Sequence, residues 1–159
     1  MKRSRKKYER PLKPWNKERI EKDRETMKSF GLKKKEEIWK TEMLLRKFRR
    51  MARNLEAKKD KEKEKILLKK LMKLGVLSEG ATLDDVLGLE LKSFLDRRLE
   101  TFIFSKGLAN SPKQARQFIT HGHVLIGGKR ITYPSYLVLK DVENDINVKI
   151  VPQKSKVNK

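Results

Sequence analysis

Positive charge crowded into the first half of the chain limits what it can fold into more than any other feature. Residues 1–70 hold 28 basic and 12 acidic side chains, a net of +16. A segment so unbalanced repels itself when compact, so it closes only a small core and presents its surplus to solvent or to a polyanion. The excess returns from Arg97 to Lys140, where eight basic residues meet one acid, Glu100. Between the two, residues 81–96 carry Asp84, Asp85, Glu90 and Asp96 against Lys92 alone, and read as a hinge joining two basic modules. With 40% of residues charged and 36% hydrophobic, no apolar core fills the whole 159-residue length. The chain has no Cys, which excludes a disulfide framework, a thiolate zinc site and a cysteine nucleophile. Its apolar runs fall far short of the ~20 residues that cross a bilayer. No apolar core follows the basic opening, Met1 to Lys7, so no signal peptide is expected and the partner is a polyanion met in the cytoplasm.

The pattern predicts four stretches: an extended basic arm over 1–14, a basic α-helical region over 15–92, a small mixed module over 93–151 and a basic tail over 152–159. The arm, with Pro11 and Pro14 among its cations, is expected to order only on a partner. Helical periodicity runs from Trp15 to Phe30, with Gly31 suited to a C-terminal cap, and again over 35–57. In that second helix Ile38, Leu45, Phe48, Ala52 and Leu55 share a stripe. A third helix spans Asp60 to Leu74 and turns Ile66, Leu67, Leu71 and Leu74 inward, ending at Gly75. Thr82 with Asp85 reads as a capping box for a short helix. One helix is then expected from Leu91 to Lys106, burying Leu95, Leu99, Phe102 and Ile103. Ser111, Pro112 and Gln114 start another, whose Ala115, Phe118 and Ile119 face inward. At His123 the period changes to two, and Gly127-Gly128 between short apolar strands predicts a tight hairpin; strand-like segments follow at 136–139 and 145–151. The fold class is therefore α+β, a basic helical domain joined to a helix-helix-hairpin module.

The chemistry suited to these residues is recognition of a phosphate backbone. On the helix after Ser111, Lys113, Arg116, Gln117 and Thr120 fall at i, i+3, i+4 and i+7, opposite the apolar face. Lys129 and Arg130 follow the hairpin turn, and Arg97 and Arg98 stand close enough in sequence to join them. Cations suit phosphates, while amide and hydroxyl groups suit 2′-hydroxyls or base edges. His121 and His123, at i and i+2 with no Cys and no acid beside them, make a poor metal site and read as turn or contact residues. Gly127-Gly128 lacks the rest of a phosphate-cradling loop and reads as a hairpin turn. Trp15, Trp39, Phe48 and Phe104 have faces on which bases can stack, although aromatics at helical spacing more often fill cores. No grouping of Ser, His and acid, and no pair of carboxylates, equips the chain as an enzyme. Two rivals remain on residues alone: an RNA-modifying protein whose catalytic domain lies on another chain, and a coiled coil built from the Lys/Glu-rich helices. Sustained a/d heptads are absent over three or more repeats, which counts against the second.

Several runs resemble a known RNA-binding module, the one named after ribosomal protein S-four. They are Phe94 to Thr101, Lys106 to Ala109, Ser111 to Ile119, Gly122-His123-Val124 and Pro134-Ser135-Tyr136. That module also occurs in pseudouridine synthases, a tRNA synthetase and heat-shock RNA binders, which append it to other domains. The N-terminal half narrows the choice. Tyr8 to Pro11, Pro14-Trp15, Lys17 to Ile20, Phe30 to Lys33, Glu37 to Trp39 and Leu44 to Arg53 resemble the archaeal and eukaryotic type of the small-subunit ribosomal family. The resemblance implies a primary binder of small-subunit (16S) rRNA in its 5′ domain, nucleating assembly. It further implies a place beside ribosomal protein S-five near the path by which mRNA enters, with an influence on decoding accuracy, no cofactor, no metal and no small-molecule substrate. The RNA-binding residues expected in the module are Arg97, Arg98, Lys106, Ser111, Lys113, Gln114, Arg116, Gln117, His121, His123, Lys129 and Arg130. In the helical region they are Arg46, Lys47, Arg49, Arg50 and Arg53. The sequence departs from the family's pattern at Gly127, where the module often has Asn, and lacks the zinc cysteines of some bacterial members.

Overall fold

A computed structural model describes residues 8–149. Residues 1–7 of the arm, the tail over 152–159 and the end of the last expected strand lie outside the described residues. Helices α1 (Lys17–Phe30), α2 (Lys35–Lys58) and α3 (Lys61–Lys73) form the basic helical region, followed by the short α4 (Leu83–Gly88) and α5 (Leu91–Asp96). The module continues with α6 (Leu99–Ser105), α7 (Pro112–Thr120), β1 (Val124–Ile126), β2 (Lys129–Arg130), a 3₁₀ helix over Lys140–Asp145 and β3 (Ile146–Val148).

The helical region is assembled around α2. Its long stripe buries Ile38, Thr41, Leu45, Phe48 and Ala52. Leu67 and Leu71 of α3 and Val86 of α4 cover the C-terminal half of that stripe, and Leu32 and Leu95 cover the beginning. Phe94 stacks on Phe48 with ring centroids 5.6 Å apart, so α5 packs with the helices that precede it. Arg19 on α1 donates through Nη2 to both carboxylate oxygens of Glu42 on α2, at 2.8 and 3.1 Å. Capping follows the expected chemistry. Gly31 ends α1 at φ +65, Asp60 accepts from the Lys63 amide ahead of α3, and the Asp85 carboxylate accepts from the Thr82 amide at 2.7 Å. Ile66 departs from expectation: it is 66% exposed, while Leu67, Leu68, Leu71 and Leu74 pack against the cluster with α2.

Residues 8–14 lie irregularly along α2. Tyr8 packs against Trp39 at 5.9 Å and donates its hydroxyl to Glu36 at 2.9 Å, while Glu9 pairs with Arg46 at 3.2 Å. The last part of the expected free arm is therefore held on the protein itself.

The single helix expected from Leu91 to Lys106 is broken at Arg97-Arg98. There the backbone leaves the helix and pairs across the module instead. Val138 N–H donates to the Arg97 carbonyl and Leu99 N–H to the Tyr136 carbonyl, each at 2.8 Å, around an isolated bridge between Arg98 and Leu137. The same pairing reduces the expected strand at 136–139 to that one bridge, since the chain turns into the 3₁₀ helix at Lys140. The sheet has the order β2-β1-β3, antiparallel throughout, with Ile126 opposite Lys129 across the turn and Ile126 opposite Ile146 on the other side. Gly127 and Gly128 occupy φ +53 and +79, the two successive left-handed positions that a two-residue hairpin needs. Leu99, Ile103, Ala115, Ile119, Val124 and Val138 close a second core beneath the sheet.

Candidate nucleic-acid interface

Helix α7 carries the face expected to meet a phosphate backbone, and three contacts fix its position. Ser111 Oγ accepts from the Gln114 amide at 3.2 Å. Gln114 Oε1 accepts from the Asn110 amide at 2.8 Å, one residue earlier than a standard capping box. Pro112 opens the helix against Gly31, where an added Cβ would stand 2.6 Å from the proline Cβ, so the close approach of α7 to the end of α1 requires glycine. Ala115 and Ile119 are buried, and Lys113, Gln117, Thr120 and His121 form an exposed row along the other side. That row ends at buried Gly122, over which the aliphatic stem of Arg130 lies. The α7 row and the β2 cations Lys129 and Arg130 thus meet at one end of the hairpin. His121 and His123 stack at 6.1 Å there, and Phe118 meets His123 edge-on at 6.3 Å. Among the described residues no cluster of His and acids is arranged to hold a metal.

Arg116 does not join that row. Its guanidinium turns toward α2, donating through Nη2 to Glu37 at 2.8 Å and through Nη1 to Glu100 at 3.3 Å. Arg98 completes the group, 2.5 Å from Glu37 and 3.6 Å from Glu100. Two arginines and two glutamates therefore form a network joining α2 to α6 and α7. The side chain of Arg98 is 5% exposed, and that of Glu100 is fully buried. Burial works to raise the Glu37 carboxyl, but the Arg116 hydrogen bond and the charges of both arginines outweigh it and hold Glu37 below the usual carboxylate range. Burial dominates at Glu100 and pushes its pKa up to about 7 against the attraction of Arg116 and Arg98. Its Oε1 is buried with no hydrogen-bond partner among the described residues.

The two carboxyls pull stability in opposite directions with pH. The folded chain holds the Glu100 proton more tightly than the unfolded chain, so stability falls as pH rises from the ordinary 4.5 through about 7. Glu37 contributes stability above its ordinary pKa and loses it as pH falls through the lower, folded value. Urea midpoints are expected to drop between pH 5.5 and pH 8, and Glu100→Gln is expected to flatten that drop.

Other cations expected on the binding surface are likewise committed internally. Arg97 donates through Nη2 to the Val138 carbonyl at 2.8 Å, pairs with Glu143 at 2.6 Å and lies over the Phe102 ring. Lys106 donates to the Glu143 carbonyl. Arg49 donates to the Leu89 carbonyl at 2.5 Å, and Arg46 pairs with Glu9 and Glu42. Lys47, Arg50 and Arg53 remain exposed on the outer face of α2, without an ion pair among the described residues. The sequence offered a weak signal for Glu100, the one acid in a basic stretch, which follows Leu99 on the inward side of its helix. Nothing in it pointed to Glu37, 63 positions earlier. Tyr133, not singled out in the sequence, is exposed just after β2.

The module of two helices and a hairpin is that of an S4 domain, whose family model matches residues 97–144. Among similar proteins, the small ribosomal subunit protein uS4 of Korarchaeum cryptofilum is 47% identical over 148 residues, covering 92% of this chain and 89% of that protein. The uS4 protein of Nanoarchaeum equitans is 50% identical over 150 residues, covering 91% and 83% respectively. That of Methanococcus aeolicus is 53% identical over 135 residues, covering 82% and 76%. The chain belongs to the uS4 family of small ribosomal subunit proteins.

Proposed function

We propose that the chain is a structural component of the small ribosomal subunit and holds folded rRNA without catalysis. The observation that carries this reading is the separation of its cations into two sets. Arg97, Arg98, Arg116 and Arg49 are spent on internal partners, and Arg98 and Arg116 stiffen the junction between the helices and the module. Lys113, Lys129, Arg130, Lys47, Arg50 and Arg53 stay exposed on fixed elements, interleaved with Gln117, Thr120 and His121. A stiff array of this kind suits one phosphate arrangement and not the generic duplex, because phosphate contacts supply affinity while their fixed spacing selects shape. Membership of the uS4 family favours rRNA of the 5′ domain as the target, bound early in assembly. The family resemblance extends the proposal to a site beside ribosomal protein S-five and the path of incoming mRNA, with an effect on decoding accuracy.

The test is a binding titration of the purified chain against a 5′-domain rRNA transcript and against random duplex of equal length, over a salt series. Selective, tight binding of the transcript at physiological salt is expected, with duplex binding lost. Equal affinity for both would overturn the reading.

A further inference from the structure

We infer that Trp15 is a base-stacking platform for a single-stranded or looped nucleotide, an inference that rests on the rRNA reading above. The indole is 76% exposed, on a turn stiffened by Pro11 and Pro14 and closed by the Asn16 amide donating to the Lys13 carbonyl at 3.4 Å. The other aromatics of the helical region are used differently. Phe48 is stacked on Phe94 in the core, and Trp39 is half-buried against Tyr8. Leu12, just before the turn, is 97% exposed, so this segment shows two apolar side chains with no partner among the described residues. Arg10, Lys13 and Lys17, all exposed, flank it without an ion pair among those residues. Beside the turn lies an open hollow of about 680 Å³ whose lining includes Arg10 and Lys13, together with Arg19 and Arg46, which pair with Glu42 and Glu9.

An exposed π-face flanked by cations fits the two halves of a nucleotide. The base takes the indole and Leu12, and its flanking phosphates take the lysines and Arg10. A protein occupant would have to bring both an apolar side chain and several carboxylates to the same place; the polyanion supplies the charge with every residue. The folded chain therefore offers rRNA a second kind of contact, distinct from the phosphate-reading row on α7.

The chain has two tryptophans, so Trp39→Phe leaves Trp15 as the sole indole and Trp15→Phe leaves Trp39. The probe is the 5′-domain transcript. In Trp39→Phe, emission is expected to be quenched by at least about half, following the binding isotherm; stacked bases quench by direct contact. The difference between wild type and Trp15→Phe reports the same quantity if Trp39→Phe folds poorly. Trp15→Ala is expected to weaken binding by about 5- to 100-fold with an unchanged salt slope, with Phe restoring most of it and Leu little. Intact binding with unquenched Trp15, or full rescue by Leu, would overturn the stacking inference and leave the rRNA reading standing. Failure of the wild-type chain to select the transcript would overturn both.

Discussion

Replacing Glu37 with alanine is expected to destabilise the protein by about 3–5 kcal/mol, read as a lowered urea midpoint at pH 7. The size of the effect follows from what is left behind. Arg98, 5% exposed, and Arg116 then face Glu100 alone, so two guanidinium charges share at most one negative charge in a nearly dry site. Arginine cannot escape by losing its proton. Glu100 is the group that responds: the Glu37 charge contributes to its raised pKa, so removing that charge makes Glu100 ionise more readily. The stability lost on raising pH should accordingly move to lower pH in Glu37→Ala. A double variant, Glu37→Met with Arg98→Met, removes a buried pair together and is expected to cost less than Glu37→Ala alone. If the double replacement costs the sum of the two single ones, the network is not coupled as described.

The helical region was legible because its signals are local. Gly31 and Gly75 mark helix ends through backbone conformations that other residues adopt only with strain, and Ser111-Pro112 marks a start by supplying a cap and a preset φ. The hairpin was legible for the same reason, since Gly127-Gly128 between short alternating segments leaves few alternatives. The break at Arg97-Arg98 was not. No glycine or proline stands there, and Leu95, Leu99 and Ile103 keep helical spacing across it. Only the pairing with Tyr136 and Val138, forty residues away, stabilises the extended conformation. The partners of Arg116 were not legible for a related reason. Spacing places Arg116 beside Lys113 and Gln117, but it says nothing of the carboxylate waiting on α2. Charge on a helix face is only a candidate for a ligand until its neighbours in space are known. Ile66 is the inverse case, an apolar residue at core spacing with nothing packed over it.

The pairing of Arg116 gives a different expectation for RNA binding from the one spacing alone supports. Lys113→Ala, Lys129→Ala and Arg130→Met together should lower the slope of log affinity against log salt by roughly 2 to 3, since each phosphate contact contributes about 0.7–0.9. Methionine at 130 keeps an apolar stem over Gly122, so the hairpin's packing is preserved. Over a fourfold rise in salt, wild type should therefore lose about 30-fold more affinity than the triple variant. Arg116→Ala is the informative contrast. Its guanidinium is already paired with Glu37 and turned toward Glu100, so the salt slope should barely move while the urea midpoint falls. Loosening the α2–α7 junction should also erode the preference for the folded transcript over duplex, because the cations of α2 and α7 then no longer keep a fixed spacing. A triple variant with an unchanged slope and an unchanged fold would place the phosphate contacts elsewhere, with the α2 row of Lys47, Arg50 and Arg53 the next surface to alter.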